Sequence, residues 1–118
     1  MSGRVEKLNS EFKRYIAELL TKKVKDPRIT EMFTVLQVSC DKELTYAKVY
    51  VSVFSTDEQR AKATFDAIVD NEPFLRREIS RQMHIRTVPE FKFMLDTSAA
   101  QSQKINEILD EILPKSNN

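Results

Sequence analysis

The 118-residue chain reads as an α+β fold in the order helix, strand, strand, helix, kink, helix, strand, helix. Three observations predict it. Apolar residues recur every three or four positions in several segments, as in a helix with one buried side. Other segments alternate apolar and polar residues, as half-buried strands do. Prolines and short polar clusters fall at the boundaries between these segments.

The first stripe runs Val5, Leu8, Phe12, Ile16, Leu19 or Leu20, and Val24, which predicts a helix over residues 4–25. Asp26-Pro27 should end it, because proline disfavours helical geometry at the preceding residue and donates no amide. After a loop to about Met32, residues 33–40 read as a strand. Val35 is out of phase with Leu36, Val38 and Cys40, which points to a bulge or to burial on both sides. Asp41-Lys42-Glu43 forms the turn. The next strand directs Ala47, Val49, Val51 and Val53 one way and Tyr46, Lys48, Tyr50 and Ser52 the other. Two tyrosines around a lysine suit base stacking, and equally an ordinary amphipathic sheet surface.

Ser55 with Glu58 has the spacing of a capping box, and Ala61, Phe65, Ile68 and Val69 form the stripe of a second helix to about Asp70. Asn71-Glu72-Pro73 should kink the chain, with Pro73 in the first turn of a new helix. There Leu75, Ile79 and Met83 share one side. Arg77, Arg81 and His84 share another, at i, i+4, i+7, with Arg76 adjacent. Phe91, Phe93 and Leu95 alternate with Lys92 and Met94 as a third strand, with Pro89 at its beginning. A capping box at Ser98 and Gln101 opens a last helix over about 99–113, carrying Ile105, Ile108, Leu109 and Ile112 on one face, before a polar tail at 114–118.

At 41% apolar and 31% charged residues the composition is that of a folded globular chain, and its length suits one domain with a core over about residues 4–96. No run approaches the roughly 18 apolar residues of a membrane span, and the start lacks the apolar core of a signal peptide. A lone cysteine, Cys40, makes no internal disulfide, suits a reducing, cytoplasmic setting and is expected in packing. With one Cys and one His no familiar zinc set can be assembled, and a single glycine, Gly3, excludes the phosphate-cradling loops of nucleotide enzymes. No catalytic pairing of carboxylates or nucleophile and base is apparent, so enzymatic activity is the least supported class.

The net charge of +1 conceals an uneven distribution. Residues 1–28 hold eight Lys/Arg against four Asp/Glu, and residues 73–98 hold five against three. A nearly neutral chain can therefore present a positive face where those segments meet. Plain helix solvation is the alternative.

Four short segments, in order, resemble the ribosome-binding factor A family over about residues 4–98. They are Lys25-Asp26-Pro27-Arg28-Ile29, Leu44 to Val51, Phe74-Leu75-Arg76, and Ile85 to Phe93 with Asp96-Thr97-Ser98. The resemblance implies a type II KH-like domain: a mixed three-stranded sheet packed on helices, with the C-terminal helix added. It further implies binding to the small (30S) ribosomal subunit and its 16S rRNA, assistance in late rRNA maturation, importance in the cold, no catalysis, no cofactor and no small-molecule substrate. A monomer is expected. An ordinary KH domain grips RNA through a Gly-x-x-Gly loop. The family instead carries an Ala-x-Gly element at a helix kink, and here those positions read Asn71-Glu72-Pro73. Without the glycine the backbone cannot come as close to phosphate, Pro73 fixes only a bend, and Glu72 would repel the ligand.

The candidate RNA-binding residues are Arg76, Arg77, Arg81, His84 and Arg86 around the third helix, with Lys22, Lys23, Lys25 and Arg28 from the first helix and its loop. The rival readings are a protein-binding adaptor, through the last helix or the Tyr46/Tyr50 face, and a generic single-stranded RNA binder. Salt dependence separates the adaptor from both RNA readings, because counterion release makes phosphate binding steeply salt-sensitive.

Overall fold

The computed structural model describes residues 3–96. The expected last helix and tail at 99–118 lie outside them. Six elements follow in the expected order: α1 (Gly3–Lys22), β1 (Met32–Cys40), β2 (Tyr46–Phe54), α2 (Glu58–Asp70), α3 (Glu72–Met83) and β3 (Glu90–Leu95). The sheet order is β1-β2-β3, with β1 and β2 antiparallel and β2 and β3 parallel, so the sheet is mixed. The parallel pair requires a long crossover, which α2 and α3 supply.

The helices cover the sheet face that carries Val35, Val38, Ala47, Val49, Val51, Val53 and Phe91. Phe12, Ile16, Leu19 and Leu20 of α1, Ile68 of α2, and Leu75 and Ile79 of α3 complete that core. Phe12 meets Phe91 edge to face, with ring centroids 5.6 Å apart, which joins the first helix to the last strand. The phase problem in β1 is resolved by a bulge. Val35 pairs with Val51 and Gln37 with Tyr50, leaving Leu36 as the extra residue, so that Val35 and Val38 both reach the core.

Several expectations are corrected. Helix α1 stops at Lys22, before Asp26-Pro27, with the Lys23 and Val24 amides both donating to the Leu19 carbonyl. The cap of α2 is Asp57, not Ser55. The Asp57 carboxylate accepts from the Gln59 and Arg60 amides, while the Ser55 hydroxyl accepts from the Asp57 amide one step earlier. Both residues are good caps, and a sequence pattern alone does not choose between two within one turn. Val69 is exposed, whereas Thr64 and Ala67 are buried, so the buried side of α2 is rotated from the expected stripe. Ser52 is buried despite its outward phase, and Leu95 is exposed at the end of β3 despite its inward one. Cys40 is half-buried and packs against the core, where burial, with the charge of Asp41, pushes its thiol up to about 11.

Asn71 joins α2 to α3 as the expected kink. It lies at φ −90°, ψ 6°, and Pro73 sits in the first turn of α3. In the hairpin turn, the Asp41 carboxylate accepts from the Thr45 and Tyr46 amides while Leu44 takes a positive φ of 57°.

Candidate nucleic-acid interface

Burial of Leu75 and Ile79 sets the rotation of α3 and thereby turns Arg77 and Arg81 toward solvent. Arg76, at the border, is half-buried. The helix ends at Met83, and His84 caps it in the left-handed conformation at φ 54°, ψ 38°. His84 thus lies just past the helix whose spacing would carry it, and it is not among the residues that line the cleft beside α3.

What the spacing does not show is the return of the chain. The Ser80 hydroxyl donates to the Ile85 carbonyl at 3.0 Å, folding residues 84–88 back along α3. Arg86 thereby joins Arg76, Arg77, Ser80, Arg81 and Val88 around an open cleft of about 390 Å³. Four of its six lining residues are arginines. Two are oriented by carboxylates of the same helix: Arg76 donates to Glu72 at 3.1 Å, and Arg81 pairs with Glu78. The side-chain bond from Arg81, with its charge, then a bond from Gln82 and last the charge of Lys23 hold the Glu78 carboxyl below its usual range against the opposing effect of desolvation. Among the described residues Arg77 and Arg86 have no ion-pair partner.

Glu72 does not point at the ligand side. It is 8% exposed, and one carboxylate oxygen accepts from the Phe91 amide at 2.9 Å while the other accepts from Arg76. The residue expected to repel phosphate thus ties the start of α3 to β3 and orients an arginine of the cleft. Its role was hidden because its partner lies 19 residues away in sequence.

The loop cations behave differently. Lys22, Lys23 and Lys25 are exposed. Arg28 is exposed too, but it is engaged: it contacts Asp26 at 2.8 Å and Asp70 at 2.9 Å. The side-chain bond from Arg28, then its backbone amide, pull the Asp26 carboxyl down to about 2, with smaller help from the Arg28 charge and the Asn71 amide. The two carboxylates hold the Arg28 guanidinium firmly protonated. On the outer sheet face the Lys92 ammonium sits 4.6 Å from the Tyr46 ring centroid, a cation–π contact, and Tyr50 is half-buried. Among the described residues no cluster of His, Cys, Asp and Glu could hold a metal ion, and no helix is long and apolar enough to cross a membrane.

A mixed three-stranded sheet backed by helices, with a helix–kink–helix crossover and a cationic cleft on its second helix, defines a KH-like protein. Comparison with known proteins narrows the class. The family model for ribosome-binding factor A matches residues 4–109. Ribosome-binding factor A of Clostridium botulinum (strain Eklund 17B / Type B) is 38% identical over 109 residues, spanning 92% of this chain and 94% of that protein. The crystal structure of ribosome-binding factor A from Thermus thermophilus is similar with a TM-score of 0.65 at 27% identity, covering 76% of this chain and 92% of that one. Coordinates of the Thermus thermophilus factor fitted into a cryo-EM map of its 30S complex give 0.63 at 26% identity, over 78% and 94% of the two chains. The chain belongs to the ribosome-binding factor A family.

Proposed function

We propose that this protein is a small-subunit assembly factor that binds the immature 30S subunit, contacts its 16S rRNA through the α3 cleft, and assists late rRNA maturation. The observation that carries the reading is the convergence of Arg76, Arg77, Arg81 and Arg86 on one open cleft. Phosphates are recognised by such groups, which present several donors in a planar fork. Family membership and the neighbour that forms a 30S complex supply the subunit. The role is one of binding without catalysis, exercised in the cytoplasm by a monomer. Lys23, exposed just past the end of α1, would extend the cationic face.

The protein should co-sediment with free small subunits and their precursors rather than with translating ribosomes. Replacing Arg77 and Arg81 together by Gln should leave thermal stability nearly unchanged, since both side chains are exposed, while lowering the salt slope of subunit binding by roughly two. Uniform distribution through the gradient would contradict the ribosomal role. A salt slope untouched by the double change would contradict the cleft.

A further inference from the structure

The loop between α1 and β1 is fastened to α2 and to the kink at several points distant in sequence. Thr64, fully buried on α2, donates from its hydroxyl to the Arg28 carbonyl at 3.2 Å and accepts from the Thr30 and Glu31 amides at 3.3 Å each. Arg28 holds Asp26 through Nε at 3.1 Å and a terminal nitrogen at 2.8 Å, and reaches Asp70, the last residue of α2, with the other nitrogen at 2.9 Å. Asn71 completes the connection. Its side-chain amide donates to Asp26 at 3.2 Å and to the Ala67 carbonyl at 2.7 Å.

We infer that Asp26, Arg28, Asp70 and Asn71 form a latch that sets the α2–α3 kink, and that Arg28 acts on subunit binding as a positioning residue, not as a phosphate contact. The inference rests on the proposed role of α3 in binding. Asn71 is the pivot on which α3 turns, and its side chain is held from both sides, by Asp26 of the loop and by the Ala67 carbonyl of α2. Fixing Asn71 fixes the direction in which α3 carries its arginines. Electrostatics agree, because a single guanidinium between two carboxylates presents no net positive charge to a phosphate. Chemistry explains why an arginine occupies the position: only a planar fork can bond one carboxylate with two nitrogens and still reach a second.

Three single variants of the full chain, titrated with purified small subunits at several salt concentrations, separate latch from contact. Arg28→Lys keeps the charge and loses the fork. A latch predicts that it weakens binding roughly three- to tenfold, as Arg28→Gln does, with the salt slope of both unchanged. A phosphate contact predicts near-native binding for Arg28→Lys and a slope lowered by about one for Arg28→Gln. Asp70→Asn reverses the sign between the two: the latch weakens binding, whereas a contact freed of a competing carboxylate would strengthen it. Amide hydrogen exchange at Asn71 and Leu75 supplies a readout independent of binding, and Arg28→Lys should speed it while leaving α1 unaltered. Native exchange at the kink in Arg28→Lys, or tighter binding by Asp70→Asn, would overturn the latch. If the Arg77/Arg81 pair alone proves silent, the α3 reading fails while the exchange result still decides whether the latch exists.

Discussion

The α3 cleft and the Asp26–Arg28 loop look alike in sequence, for both are short cationic segments, and the structure gives them opposite characters. In the cleft, four arginines face two carboxylates, Glu72 and Glu78, and both of these lie on the same helix as the side chains they orient. In the loop, one arginine faces two carboxylates, and the second of them, Asp70, arrives from 42 residues away. The difference teaches that counting positive residues overstates the charge available to a ligand wherever tertiary structure brings acids to them. Local spacing reveals i, i+3 and i, i+4 partners. It is blind to Asp70.

The largest effect that sharpens this contrast should come from the cleft side. Glu72→Ala removes the acceptor of the buried Phe91 amide, at a cost of roughly 1–3 kcal/mol for the unsatisfied donor, and it also frees Arg76. Denaturant unfolding should show the loss, and subunit binding should become weaker or less salt-sensitive as the arginine loses its orientation. A variant with native stability would mean that Glu72 does not tie α3 to β3.

A smaller, pH-dependent effect belongs to the loop. The folded-state pKa of Asp26, about 2, lies below its ordinary value of 3.8, so the ionised carboxylate favours the folded state. That contribution is complete above the ordinary value and is lost as pH falls through about 2. Urea midpoints measured between about pH 5 and pH 2 should therefore fall less steeply for Asp26→Asn than for the unaltered protein, with Glu31 and Glu78, also depressed, accounting for part of the remaining slope. Parallel curves for the two proteins would show that the Asp26–Arg28 pair adds nothing to folding.

Most of the architecture was legible because it rests on periodicity. The stripe of Phe12, Ile16 and Leu19, the alternation of Val49, Val51 and Val53, and the restart at Pro73 each follow from local geometry and burial. Even the bulge at Leu36 left a trace, in the misphased Val35. The site was legible only in its helical part. Arg77 and Arg81 were readable from spacing, but the place of Arg86 depends on the Ser80–Ile85 hydrogen bond, and the absence of His84 from the cleft goes with a helix that stops one residue before it. The inward turn of Glu72 and the capture of Arg28 are set by partners distant in the chain, which a pattern of one sequence does not contain. Ser52 departs from the pattern too: its alternation places it on the outer face, yet it is buried in the central strand although its cross-strand partner Thr34 is exposed.

Cleft and loop are separated most simply by comparing arginines within the unaltered protein. Phenylglyoxal modification followed by mass spectrometry, performed on the free protein and on its complex with small subunits, reports which guanidiniums become inaccessible on binding. Arg77 and Arg86 should react readily in the free protein and be strongly protected in the complex, whereas Arg28, already held by Asp26 and Asp70, should react at the same rate in both. Protection of Arg28 with Arg77 and Arg86 still reactive would contradict the account, placing the RNA on the loop and leaving the cleft of α3 without its ligand.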